Sequence, residues 1–144
     1  MAFFFIRMQV ILASNSPRRK ELFSKICPSF ITAPANVNED VEEGVSPLQT
    51  VKILARRKAE HAFQTALNAG MGGGKPLIVL GSDTVVAYNG AILGKPKDEE
   101  EAAAMLTVLF GQYAHRLYGG MLCHANGRLV RGGRIRGAIS CPDG

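Results

Sequence analysis

Apolar positions along this chain recur at two spacings, and each change of spacing marks a predicted element. Gln9 to Ala13 is a short apolar run that reads as a buried strand. Ser14-Asn15-Ser16-Pro17 supplies a turn, an N-cap at Ser16 and a proline at the first helical position. A helix is predicted through about Ile26, with Leu22, Phe23 and Ile26 on its buried side and Pro28 as its stop. Residues 29 to 45 read as an extended acidic loop with Glu39, Asp40, Glu42 and Glu43. Ser46-Pro47 repeats the start signal, and Leu48, Val51, Leu54, Ala55, Ala59, Ala62 and Phe63 then follow the helical period. The helix is expected to end before Gly70, with a flexible connection from Gly70 to Pro76.

Leu77 to Tyr88 carries the strongest strand pattern, a dense apolar run broken by Gly81-Ser82-Asp83-Thr84. Asn89-Gly90 is a hairpin turn of the primed type, leading to Ala91-Ile92-Leu93. Asp98 caps a third helix with Glu99, Glu100 and Glu101 in its first turn, where the helix dipole favours them. Its apolar stripe is Met105, Leu106 and Leu109, and Gly111 is its stop. Two short strands are expected near Leu117 to Cys123 and Arg128 to Val130, joined at Asn126-Gly127. This order implies a mixed α/β domain without internal repeats.

Composition narrows the class without naming a function. A chain of 144 residues, 47% hydrophobic and 20% charged, suits one compact domain with a real core. The net charge of +5 is uneven. Arg128, Arg131, Arg134 and Arg136 against Asp143 give the end of the chain +3, leaving +2 for the remainder. That remainder is too weakly basic for charge alone to imply nucleic-acid binding. Cys27, Cys123 and Cys141 are odd in number and widely spaced, which favours reduced thiols in an intracellular compartment. Met1 to Met8 is apolar but short, and reads as an extension leading into a strand rather than a cleaved signal or a membrane span.

Four places break the local pattern, and such breaks tend to mark function. Arg18 and Arg19 lie in a helix's first turn, where the dipole disfavours each cation by roughly 0.3–1 kcal/mol. An anion seated on the helix start would explain them, and so would a solvated basic face with Lys20. Lys58 falls on the otherwise apolar face of its helix, so it either snorkels to water or reaches a buried acid or phosphate. Asp83 interrupts a core-like strand. Either Gly81 ends the strand and Asp83 caps a turn, or Asp83 is a metal ligand or general base at a strand kink. Lys95, between Gly94 and Pro96, returns towards Asp83 if the hairpin folds back, and otherwise is a surface lysine. Either Glu39 or Asp40 completes an oxygen-ligand site for Mg²⁺ with Asp83, or the acidic loop is simply solvated.

Other signals lead nowhere. Gly70-Met71-Gly72-Gly73-Gly74-Lys75 has the wrong spacing for a phosphate loop, and Pro76 stands where Ser or Thr is needed. His61, His115 and His124 show no metal-ligand spacing with the cysteines. A Ser–His–Asp triad would have no elbow motif behind it.

Five segments stand out in order: Leu12-Ala-Ser-Asn-Ser-Pro-Arg-Arg-Lys-Glu-Leu22, Leu54-Ala55 with Lys58-Ala59, Gly81-Ser-Asp-Thr-Val85, Leu93-Gly-Lys-Pro96, and Ala102, Leu106, Leu109, Gly111 and His115. Together they resemble the Maf family of nucleotide pyrophosphatases. The resemblance implies a mixed-sheet α/β fold with a central cleft, related to the inosine-triphosphate pyrophosphatases. It implies hydrolysis of a nucleoside triphosphate between the α- and β-phosphates in the cytoplasm, with Mg²⁺ or Mn²⁺ as cofactor. By motif, Ser14, Arg18, Arg19 and Thr84 would bind substrate, and Lys58 and Lys95 would contact phosphates. Asp83 would be the metal ligand or the base that activates water, with Glu39 as a second metal ligand. Ser-Pro-Arg-Arg together with Asp83-Thr84 is similar to the subgroup acting on dTTP and UTP. Such a chain needs no membrane or nucleic acid, and a homodimer is left open.

The resemblance has a limit. Where the family has Thr-Gly after the histidine, this chain reads Leu117-Tyr118-Gly119-Gly120. After Val130 it becomes rich in Gly and Arg, without the family's glutamine-containing glycine motif. The expectation is a partial domain over residues 1–130 and a divergent tail over 131–144, with the cleft left open at the C-terminal side. Two rival readings follow: a non-catalytic nucleotide-binding or division-regulating protein, since the family is associated with septum formation, and a nucleic-acid module built on the Arg/Gly tail. The tail has no interleaved aromatics, which argues against the last.

Overall fold

The computed structural model describes residues 8–109, 113–123 and 129–140. The expected N-terminal extension at 1–7, the Gly111 stop, the Asn126-Gly127 junction and His124 lie outside these residues, as do the side chains of Leu109 and His115. The chain forms β1 (Gln9–Ala13), α1 (Pro17–Ser24), β2 (Ile31–Ala33), α2 (Pro47–Asn68), β3 (Leu77–Tyr88), β4 (Ala91–Leu93), α3 (Glu99–Leu109), β5 (Tyr113–Cys123) and β6 (Leu129–Ser140). Along the sheet the strands run β2-β1-β3-β5-β6, with β4 also on β3. β1 is parallel to β2 and β3, whereas β4 and β5 run antiparallel to β3, and β6 antiparallel to β5. The mixed α/β architecture is the expected one.

The core lies where α2 crosses β1 and β3. Ile11, Ala13, Leu77 and Val79 from the strands meet Ala55, Ala59, Ala62, Phe63 and Ala66 from the helix. Four of those five helix residues are alanines, so little side-chain bulk separates the backbones. At Gly81 the approach is closest. A Cβ there would stand 2.5 Å from the Ala55 carbonyl oxygen and 2.7 Å from the Ala59 nitrogen. Val10 and Leu12, on the other face of β1, are buried as well, which is why β1 reads as a continuous apolar run.

Both Ser-Pro helix starts are capped as the sequence implies. Ser16 Oγ accepts from Arg19 N–H, and Ser46 Oγ from Gln49 N–H. Asp98 accepts from Glu101 N–H, while Glu101 reaches back to Lys97 N–H. Asn89 and Gly90 both have positive φ, 48° and 77°, as a type I′ turn requires.

Several expectations need correction. Leu22 and Ile26 are not on a buried side: they are 52% and 68% exposed, and α1 buries none of its residues. Phe23 packs instead against Phe30, with ring centroids 4.8 Å apart. The sheet face is taken by α2, which leaves α1 at the surface. Leu106 of the expected α3 stripe is likewise 66% exposed. The acidic loop contains a strand, β2, which adds itself beside β1 through only three residue pairs. Gly81-Ser82-Asp83-Thr84 does not break the strand, because β5 pairs with β3 from Val79 through Ala87 and holds it extended. The last two strands are longer than expected, since β5 supplies partners for β6 as far as Ser140. Val130 is the second residue of β6.

Candidate active site

A gap in the sheet positions the site. β5 occupies one edge of β3 from Val79 to Ala87. β1 pairs with Leu77–Gly81 and β4 with Val86–Tyr88, so both must lie on the opposite edge. Between them Ser82, Asp83, Thr84 and Val85 have no strand partner on that edge among the described residues. Free backbone groups at such a gap need other partners. The Arg19 guanidinium supplies one, donating from Nη1 to the Ser82 carbonyl at 3.3 Å and from Nη2 to Thr84 Oγ1 at 3.0 Å.

Strand and helix periods then deliver the charged pair. Alternation puts Leu77, Val79, Gly81, Asp83 and Ala87 on the side facing α2, and all five are buried. On α2, Val51, Leu54, Ala55, Lys58, Ala59 and Ala62 form the facing stripe. The small gap over Gly81 brings Lys58 down beside Asp83. Lys58 Nζ donates to Asp83 Oδ1 at 2.6 Å, with side chains only 8% and 10% exposed. Of the two readings of Lys58, reaching a buried acid is the observed one. A pair this dry is favourable only because both charges are matched.

Glu39 approaches the same ammonium, 3.7 Å from Nζ, but its side chain is 67% exposed. The loop that carries it is tied to α2 by Arg57, whose Nη1 donates to the Asn38 and Asp40 carbonyls. Lys95 lies two positions past the Leu93–Val86 pair, level with Thr84 across the hairpin. It is exposed, at the mouth of the same cleft.

These residues line one cavity of about 750 Å³. Arg19, Glu39, Glu42, Thr50, Lys58, Asp83, Thr84 and Lys95 form its charged and polar wall, while Val41, Val45, Leu54, Val85, Ile92 and Leu93 give it an apolar one. A second hollow of about 590 Å³ shares Arg19, Glu39, Lys58 and Lys95 and is otherwise lined largely by Asn15, Ser16, Asn36 and Asn38. The four shared charged groups thus stand between an apolar lobe and an amide-lined lobe. Chemically, the arrangement offers three cationic side chains to an anion and three carboxylates, Glu39, Glu42 and Asp83, to a hard cation or a water.

Six of the eight residues singled out from sequence meet here. Ser14 and Arg18 do not line the cavity. Ser14 is buried at the end of β1, where its Oγ accepts from Ser16 N–H at 3.0 Å, and Arg18 is exposed on α1. Sequence reasoning missed Arg57 and Thr50, the latter buried in the cavity wall. Arg57 carried a signal only in being adjacent to Lys58. Among the described residues, no three His, Cys, Asp or Glu side chains cluster as a ready-made metal centre, and no helix is long and apolar enough to cross a membrane.

Comparison with known proteins places this geometry. The chain is 49% identical over 112 residues to a dTTP/UTP pyrophosphatase of Desulfitobacterium hafniense, covering 78% of this chain and 49% of that protein. It is 44% identical over 118 residues to a dTTP/UTP pyrophosphatase of Agathobacter rectalis, covering 78% and 57%. The chain thus spans about half the length of the curated relatives it matches. Its fold is similar to that of the Staphylococcus aureus Ham1 protein, with a TM-score of 0.55 and 22% identity over 94% of this chain and 73% of the other. It is also similar to a nucleoside-triphosphatase / dITP/XTP pyrophosphatase of Mycobacterium abscessus, with a TM-score of 0.50 and 18% identity over 92% and 74%. At these identities the likeness speaks for the fold alone, which is the mixed-sheet α/β fold expected. The Maf-like protein family matches residues 9–137, a range that contains every residue of the cleft, and the chain belongs to that family.

Proposed function

We propose that this cleft is the site of a nucleoside-triphosphate pyrophosphatase that cleaves the α–β phosphoanhydride of dTTP, UTP or modified nucleotides. The observation that carries the reading is the Lys58–Asp83 pair, 2.6 Å apart and nearly dry, at the junction of an apolar lobe and a cationic rim. The dTTP/UTP pyrophosphatase names of the relatives support the substrate class.

In this reading Arg19, Lys58 and Lys95 bind the polyphosphate and offset the charge that develops on it. Thr84 fixes the Arg19 fork, while Ser14, outside the cavity, shapes the turn into α1 through Ser16 N–H, and Arg18 adds positive charge on that helix. Asp83, oriented by Lys58, accepts a proton from the attacking water. The water oxygen bonds to the α-phosphorus, the bond from that phosphorus to the bridging oxygen breaks, and pyrophosphate leaves with a nucleoside monophosphate as the other product.

Asp83 and Glu39 fit a divalent cation, since they converge on one volume that already accommodates a positive charge. Mg²⁺ commonly binds through one or two carboxylates plus phosphate oxygens. Mg²⁺ or Mn²⁺ held there would neutralise phosphate charge. A cytoplasmic location accords with Cys27, which is a free thiol.

The test is pyrophosphate release from a panel of nucleoside triphosphates with Mg²⁺ or Mn²⁺, with Asp83→Asn as control. Release that the substitution abolishes supports the enzyme. Triphosphate binding without release would overturn it in favour of a regulatory, nucleotide-sensing role in division.

A further inference from the structure

One nitrogen of Arg57 holds both carbonyls that bracket Glu39. Nη1 donates to Asn38 O at 3.0 Å and to Asp40 O at 2.5 Å. A terminal guanidinium nitrogen carries two N–H groups, so a single atom can serve two acceptors. The segment it grips runs from residue 34 to 46 and contains no helix or strand. Two other bonds support it nearby: a local one, in which Asp40 N–H donates to Asn38 Oδ1 at 2.8 Å, and one from the turn before α1, in which the Asn15 amide donates to Asn36 Oδ1 at 3.0 Å.

Glu39 does little to fix itself. Its carboxylate is largely exposed and stands 3.7 Å from Lys58 Nζ, longer than a hydrogen bond. Its position over the cleft is therefore set by the backbone on either side. That backbone is fixed from α2, by the residue immediately before Lys58. Two successive residues of one rigid helix thus register the two carboxylates against each other: Lys58 orients Asp83, and Arg57 holds the peptide that carries Glu39.

We propose that Arg57 is a positioning residue, which keeps Glu39 over the Lys58–Asp83 pair and so sets the site's affinity for divalent cation and triphosphate without touching either. The proposal rests on the pyrophosphatase reading of the cleft. Outer supports of this kind are commonly worth about 10–100-fold in metal affinity or activity.

The experiment compares Arg57→Ala, Arg57→Lys and, as a same-helix control, Lys52→Ala. Amide hydrogen exchange over residues 36–42 is read first, on the protein without substrate. Arg57→Ala lowers protection there, Arg57→Lys restores part of it, and Lys52→Ala leaves it unchanged. In steady-state assays Arg57→Ala raises the half-saturating Mg²⁺ and the KM about tenfold, with kcat changing far less. In a Glu39→Gln background the same substitution adds nothing further, because its effect passes through Glu39. Unchanged exchange protection, a fall confined to kcat, or full additivity with Glu39→Gln would each overturn the proposal. Absence of pyrophosphate release from the unaltered protein would sink the catalytic reading instead, and the exchange result would still decide whether Arg57 holds the loop.

Discussion

Lys58 and Asp83 occupy apolar positions of their own elements, and each is tolerated there only because the other faces it at 2.6 Å. The lysine sits on the buried stripe of α2 and the aspartate on the buried side of β3. Each would be a fault in isolation. Together they put a fixed charge pair at the floor of the cleft, beside the unpaired edge where Arg19 enters.

Removing one partner should therefore cost more than removing both. Lys58→Met leaves Asp83 without its ammonium and should lower stability by about 3 kcal/mol, as breaking a buried pair does. Combining it with Asp83→Leu should recover much of that loss while abolishing pyrophosphate release. Urea unfolding midpoints of the two variants decide the matter, and a double variant weaker than the single one would refute it.

Gly81→Ala tests the close approach of helix to strand. The added methyl meets the Ala55 carbonyl and the Ala59 nitrogen, which are backbone atoms and cannot swing aside. The helix must lift, at a cost of about 1–3 kcal/mol. The lift also parts Lys58 from Asp83, so activity should fall further than in a variant of equal stability altered elsewhere. Thermal melting and a pyrophosphate assay on the same preparation check both effects.

Thr84→Val keeps the shape of the side chain and deletes the hydroxyl that Arg19 Nη2 reaches at 3.0 Å. Both residues are partly exposed, so stability should change by only about 1 kcal/mol or less. KM for the triphosphate should rise several-fold as the guanidinium loses its orientation. Arg19→Lys should behave similarly, since one ammonium does not reproduce a fork aimed at both Thr84 Oγ1 and the Ser82 carbonyl. Kinetics indistinguishable from the parent in both variants would remove Arg19 from the site.

Gly90→Val isolates the turn. Gly90 has a φ of 77°, and nothing lies within 4 Å of where its Cβ would be. The loss should be conformational alone, about 1–2 kcal/mol. Because the turn sets the register that returns Lys95 to the level of Thr84, a larger effect on KM than on kcat is also expected. A melting temperature equal to the parent's would contradict the turn assignment.

The chain's own pattern determined most of the elements, because period and capping are local. Ser16-Pro17 and Ser46-Pro47 start the two helices they announce, Asn89-Gly90 turns the hairpin, and every buried position of β3 is odd-numbered. Lys58 and Asp83 stood out for the same reason, as charges at positions whose period demanded apolar residues. Local pattern could not say which face another element would cover. Leu22 and Ile26 have helical spacing, yet α2 takes the sheet face and leaves them in water. Ile31-Thr32-Ala33 is too short to signal a strand, and becomes one only because β1 offers an edge. The Gly- and Arg-rich stretch after Val130 has weak strand character of its own, and pairs because β5 is already there. The cleft itself depends on relations between distant segments. Along β3, pairing with β1 ends at Gly81, pairing with β4 begins at Val86, and α2 descends where a glycine leaves room. Only tertiary packing sets those three limits against one another, and they decide where Arg19, Lys58, Asp83 and Lys95 can meet.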